Sequence, residues 1–350
     1  MNSRMTGLVW TACVVLAGCS KPSPGDKDVR TAPPPMAQNE TSEFQHNDPC
    51  SLLEPKEVEA VLGAPLGTPP FRASNGKPQA DGSDCEYLTA NFNQIVFTVE
   101  FEGGAQSYQM TGFGKKLLSN APTAEAKKAF KMDDGTEITG EWDEAQLTAM
   151  NCCIFNALRA DQMITIDFTG TDVALPQAAS LVDAAFKRID KPLQLDGGAN
   201  VAAATAFLAT RPKRMDPCSV LSQKEVEAIV GSLSAAPSQE GAASCNYPIP
   251  PQAGMPRAYE LHYMWQGGIA DVRSNAHITK LGGMAMGGAS SKDEDPLPPK
   301  GAPGDPWERA GIQYNDFVAL KKDVEIKIDH RGLDDGKVKA LVAAAMRKIN

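Results

Sequence analysis

Histidine is scarce in this sequence, and the common catalytic signatures are missing. There are 4 histidines among 350 residues, and no H-E-x-x-H, G-x-S-x-G, G-x-x-x-x-G-K-[ST] or G-x-G-x-x-G occurs. These absences set aside a zincin, a hydrolase elbow, a P-loop and a dinucleotide fingerprint. No long apolar run is present, and the mean hydropathy of -0.29 excludes a multi-span membrane protein. Positive charge is not in excess. Lys and Arg number 34 against 43 Asp and Glu, and the net charge of -9 argues against a nucleic-acid partner. The 26 prolines and 30 glycines are ordinary usage, which excludes a collagen-like or low-complexity chain. C-x-x-C is absent as well, so the 8 cysteines carry no thioredoxin-type motif.

What is present begins at the N-terminus. Arg4 supplies a positive n-region, and Leu8 to Ala17 is an apolar stretch too short to span a bilayer. It ends in Leu16-Ala17-Gly18-Cys19, which resembles the lipobox of bacterial lipoproteins. The resemblance implies cleavage before Cys19, a diacylglyceryl thioether on its sulfur and usually an added N-acyl chain, a stable anchor where one chain is marginal. Residues 1–18 are then signal peptide. Ser20 follows the lipidated cysteine, and by the same resemblance this favours the outer membrane in a double-membrane host. Residues 19–47, with Pro33-Pro34-Pro35 and little to bury, read as the lipidated cysteine and a disordered tether. Its root-mean-square reach is roughly 30 Å.

The remainder contains an internal repeat. Residues 48–63, DPCSLLEPKEVEAVLG, match 216–231, DPCSVLSQKEVEAIVG, at 11 of 16 positions. Weaker matches follow in the same order. Cys85-Glu86-Tyr87 parallels Cys245-Asn246-Tyr247, Trp142 parallels Trp307, and Phe155 to Asp161 parallels Phe317 to Asp323. The expected organisation is copy 1 at 48–190, a linker at 191–215 and copy 2 at 216–350. In each copy a capped helix opens the unit: Ser222 with Glu225 forms a capping box, and Pro55 stands at a first helical position. Alternating strands follow, Ile95-Phe97-Val99 in one copy and Tyr259-Leu261-Tyr263 in the other. Helices with apolar stripes close both copies, Leu181 to Ile189 and Leu341 to Ile349. The fold class expected is α+β: tandem duplicated two-layer domains, each an N-terminal helix, an antiparallel sheet and a C-terminal helix.

Export favours disulfides. Cys50 and Cys85 occupy the same relative places as Cys218 and Cys245, so the repeat suggests Cys50–Cys85 and Cys218–Cys245. Chain-entropy arguments make each worth roughly 3.5–4 kcal/mol. Cys152 and Cys153 have no counterpart in copy 2 and stay open: a vicinal disulfide, a redox element, a link to another chain or incidental thiols.

Other candidate chemistry is thin. The acidic residues around Trp142 and Trp307 suit a cation or sugar, but packing is the simpler reading. Met284 and Met286, with His262 and His277, are soft ligands for copper(I), although a glycine-rich loop explains the segment equally. Charge is unevenly shared. Residues 48–190 hold 21 acidic and 11 basic residues, net -10, against 17 and 15, net -2, in 216–350. The acidic copy should attract cationic partners.

The D-P-C-x-[LV]-L start, the K-E-V-E-A helix, the second cysteine and the final amphipathic helix resemble the D-P-C-type envelope lipoproteins of unknown function known in actinobacteria. The resemblance implies a compact α+β domain displayed at the cell surface and supplies no catalytic residues. The functional expectation is a non-enzymatic binding or scaffolding lipoprotein, held to the membrane by its lipid, with an envelope protein or small ligand as partner and no cofactor. The alternative is a redox or copper-handling envelope factor.

Overall fold

Two antiparallel sheets organise the chain. The computed structural model describes residues 48–118, 129–131, 137–148, 153–252, 255–275, 297–313, 315–329 and 331–349, all within one compact unit. A 3-10 turn, Pro49–Ser51, leads to α1 (Pro55–Leu62), β1 (Phe71–Ser74), β2 (Lys77–Pro78), β3 (Asp84–Leu88) and β4 (Gln94–Glu100). Helix α2 (Gly104–Leu118), the ribbon β5 (Ala129–Lys131) with β6 (Glu137–Thr139), β7 (Glu144–Leu147), β8 (Ile154–Arg159), β9 (Gln162–Gly170) and α3 (Leu175–Arg188) complete the first lobe. After α4 (Val201–Leu208), the second lobe contains α5 (Pro217–Val220), α6 (Gln223–Val230), β10 (Ser238–Glu240), β11 (Ser244–Gln252) and β12 (Met255–Met264). Then come α7, described over 268–275, β13 (Arg309–Gln313), β14 (Asp316–Lys321), β15 (Val324–Asp329) and α8 (Asp335–Lys348).

The sheet orders are β2-β1-β3-β4-β9-β8-β7 and β10-β11-β12-β15-β14-β13. Without the edge strand β2, the second is the first repeated, and every pairing is antiparallel. One face of each sheet holds the core. Cys85, Tyr87, Phe97, Phe155, Ile164 and Ile166 pack under α1 and α3 in the first lobe. Cys245, Tyr247, Leu261, Phe317, Ile326 and Ile328 occupy the same places in the second, with α8 above them.

The opening helices form for the expected reasons. Asp48 and Asp216 cap their short turns: each Oδ1 accepts the N–H of the following cysteine at 2.8 Å. Glu57 Oε2 accepts the Glu54 N–H at 3.0 Å, and Glu225 does the same for Ser222 at 2.8 Å. Gly63 ends α1 in the left-handed region, φ 64° and ψ 16°. Gly231 ends α6 differently, at φ 94° and ψ -175°. The capping glutamates have a second duty. Arg188, at the end of α3, grips Glu57 through two bonds of 2.6 Å, and Lys348, at the end of α8, meets Glu225 at 2.7 Å. The first K-E-V-E glutamate therefore joins the K-E-V-E helix to the last helix in both lobes.

The alternating pattern does not disclose the helices inserted after the fourth strand of the first lobe and the third of the second. Gly103-Gly104 leads into α2 and Gly267-Gly268 into α7. The first glycine of each pair has φ 76°. The second has no room for a side chain: a Cβ would lie 2.4 Å from Met163 N at Gly104, and 2.7 Å from Glu325 N at Gly268. A hairpin aspartate caps each insertion. Asp161 accepts from Gly103 and Ala105 N–H groups at 2.9 and 3.2 Å, and Asp323 accepts from Gly267 N–H at 2.8 Å.

Candidate functional site

Position by position, the outer faces of the two sheets carry different chemistry. In the first lobe α4 covers Phe71, Ala73 and Leu88. The strand registers place Ser238, Glu240 and Pro248 at the equivalent points of the second lobe. These need no apolar cover, and β10 is exposed throughout. Further across, Asp84, Thr98, Thr165 and Asn156 form a row in the first lobe. Thr98 Oγ1 donates to Asp84 at 2.9 Å, and Thr165 Oγ1 to Asn156 at 2.8 Å. The matching row of the second lobe is Ser244, His262, Lys327 and Val318.

This second row is the strongest candidate site. Ser244 Oγ and His262 Nδ1 are 3.0 Å apart. Lys327 Nζ lies 3.6 Å from Asp271 Oδ2 on α7 and 3.8 Å from Glu325 Oε1. Asn275 Nδ2 donates to the same Asp271 oxygen at 2.7 Å. Burial lowers the His262 pKa, and the Lys327 charge lowers it further, which favours the neutral imidazole. Burial raises the Glu325 carboxyl to about 8, opposed by Lys327 and reinforced by Asp271. A hydroxyl, an imidazole, an ammonium and two carboxyl groups thus share one patch. His262, Lys327 and Asp271 are partly exposed and offer donors and acceptors to a polar ligand, while Ser244 and Glu325 are buried behind them. Among the described residues, no group of three or more His, Cys, Asp or Glu side chains is placed to hold a metal ion.

A second set of residues joins the lobes. Arg273 of α7 is 7% exposed and donates to the carbonyl oxygens of Phe168 at 2.9 Å, Val173 at 3.2 Å and Thr171. Its guanidinium carbon stands 5.6 Å from the centre of the Phe168 ring. Arg309 of β13 meets Asp172 at 2.5 Å, and Lys300 approaches it at 3.7 Å. In the segment between the lobes Arg211 lies over the Phe92 ring at 5.2 Å and Phe207 of α4 packs on Phe92 at 4.9 Å, which ties that segment to the first lobe. Cations of the second lobe thus rest on the 168–173 corner of the first.

The cysteines expected to pair do so: Cys50 bonds Cys85 and Cys218 bonds Cys245. Cys153 is also disulfide-bonded and is fully buried, with its partner outside the described residues. Cys152, Cys19, His277, Met284 and Met286 all lie outside the described residues. Trp142 is 1% exposed and meets Phe155 edge-on at 5.6 Å; Trp307 meets Phe317 in the same way at 5.8 Å. Both rings pack against a core phenylalanine. A shallow, open depression of about 480 Å³ lies between Glu54, Pro55, Lys56 and Leu193, Gln194, Leu195.

Glu325, Lys327, Asp271 and Arg273 were not legible as a group. Glu325 and Lys327 sit at the polar positions of an alternating strand and read there as solvated, and α7 has no long apolar stripe to announce it. No family model, curated protein or solved structure matches the chain.

Proposed function

We propose that this chain is a lipid-anchored protein of the cell envelope, built from two copies of one module, which acts by binding or scaffolding. The lipobox at Leu16-Ala17-Gly18-Cys19 and the polar segment to residue 47 support the anchor. The observation that carries the binding reading is a repeated frame with divergent faces. The caps at Asp48 and Asp216, the ion pairs of Glu57 and Glu225 and the hairpin aspartates Asp161 and Asp323 recur in both lobes. They hold the frame together. The outer rows, Asp84-Thr98-Thr165-Asn156 and Ser244-His262-Lys327-Val318, share positions but not chemistry. Duplicates that keep the frame and change the face suit recognition, with the partly exposed His262 and Lys327 of the second-lobe row as the contact residues.

Two measurements test this. Labelled palmitate should enter the intact chain in cells and fail to enter Cys19→Ala. Crosslinking in intact envelopes should capture a reproducible partner, and a His262→Asn, Lys327→Gln double variant should lose it. Capture unchanged by that double variant removes the second-lobe row from the proposal, and no palmitate incorporation removes the anchor.

A further inference from the structure

The two disulfides occupy equivalent places but differ in protection. In the first lobe a strap formed by residues 193–200 closes over the Cys50 corner. Leu193 N–H donates to Ser51 O at 2.8 Å, and Arg72 N–H donates to Gly197 O at 3.1 Å. Gly197 N–H donates to Asp48 Oδ2 at 2.8 Å, and Asn200 Nδ2 donates to Pro70 O at 2.7 Å. The strap is so close that a Cβ on Gly197 would lie 2.4 Å from Cys50 Sγ. Cys50 is 1% exposed, Cys85 is 0% exposed, and Asp48 beneath the strap is 4% exposed. In the second lobe the same corner is open: Asp216 is exposed and Cys218 is partly exposed, while Cys245 is fully buried.

From this asymmetry we infer that Cys218–Cys245 is a thiol-exchange site that accepts small thiols at the Cys218 sulfur, whereas Cys50–Cys85 is a sealed structural bond. A thiolate must reach a disulfide sulfur to react. Of the four cysteines in the two bonds, Cys218 alone is partly exposed, so the route runs to its sulfur. The incoming thiolate forms a new S–S bond to Cys218 Sγ as the Cys218–Cys245 bond breaks. The electron pair leaves on Cys245 Sγ, which takes up a proton. A second thiolate then attacks the mixed disulfide and releases the Cys218 thiol. Two small thiols become one small disulfide, and one protein disulfide becomes two thiols. The reaction frees α5 from β11, next to Ser244 and its contact with His262.

The test uses the intact mature protein under native conditions. Glutathione is added for graded times, free thiols are blocked by alkylation, and the four cysteines are followed by mass spectrometry. Cys218 and Cys245 should become labelled at least about tenfold faster than Cys50 and Cys85. The first glutathione adduct should sit on Cys218. A Gly197→Ala variant should speed labelling of Cys50 and Cys85 and leave Cys218 and Cys245 unchanged. Equal rates for the two pairs, faster labelling of Cys50 and Cys85 in the parent, or a first adduct on Cys245 would overturn the inference.

Discussion

Glu86 and Glu325 are carboxyl groups that the fold removes from water, at 2% and 1% exposure. Glu86 sits on the outer face of β3, level with Phe71 and covered on the α4 side. Burial pushes its pKa to about 7, although Arg211 pulls it down. A carboxyl raised in the folded state stays protonated where the unfolded chain has already lost its proton. Unfolding then releases a proton, so the contribution to stability falls as pH rises from the ordinary glutamate value near 4.5 to about 7, and is level beyond. The shift corresponds to roughly 3 kcal/mol. Glu86→Gln cannot titrate. Its stability relative to the parent should be unchanged at pH 4 and should rise by up to about 3 kcal/mol by pH 8. Urea midpoints at the two pH values measure this. For Glu325, raised to about 8, the same divergence should run about one pH unit further for Glu325→Gln. A constant difference across pH would place both carboxylates in the ionised form.

At the scale of elements, the glycine pairs decide where a helix enters each sheet. Gly103 and Gly267 supply positive φ, and Gly104 and Gly268 admit the backbone of the last hairpin to close contact. Alanine at Gly104 or Gly268 must displace that hairpin, because its Cβ would meet backbone nitrogen at 2.4 or 2.7 Å. Each substitution should cost about 1–3 kcal/mol in denaturant unfolding, the range of a forced overpacking. A change below 0.5 kcal/mol would mean that the inserted helix is free to lift. This device explains what could and could not be read from sequence. The opening helices were legible because Ser222 and Glu225, or Pro55 and Glu57, lie within one turn of each other. The disulfides were legible because the repeat aligned four cysteines. Glycine pairs look like loops, and their reason is a strand some sixty residues away in sequence: Gly104 faces Met163, and Gly268 faces Glu325. Arg188 and Glu57 are likewise 131 residues apart, and no local pattern joins them. The candidate row of Ser244, His262 and Lys327 exists only once three strands are in register.

For the whole molecule, the question is what joins two similar lobes. Arg273 and Arg309 of the second lobe hold the 168–173 corner of the first. By strand register Glu144 takes the place of Arg309 in the first lobe, and counting from the paired glycines puts Gln109 in that of Arg273. At these two places, therefore, the first lobe carries no cation, and the grip runs in one direction, from the second lobe to the first. The junction rests most heavily on Arg273, because the carbonyl groups it serves belong to residues at most 2% exposed, Phe168, Thr171 and Val173. Arg273→Met keeps much of the apolar contact with Phe168 but leaves these acceptors without their charged donor. The loss should be roughly 3 kcal/mol or more of docking energy, since buried acceptors lose a charge-assisted partner and gain no water. Each lobe keeps its own core and disulfide. The parent should accordingly melt as one cooperative transition in calorimetry, and Arg273→Met should separate into two, with a larger radius of gyration in small-angle scattering. Arg309→Met, at a partly exposed pair with Asp172, should shift the single transition by only a few degrees. If Arg273→Met melts as one transition at the parental temperature, the lobes are held by other contacts and not by the arginine in its cradle of carbonyls.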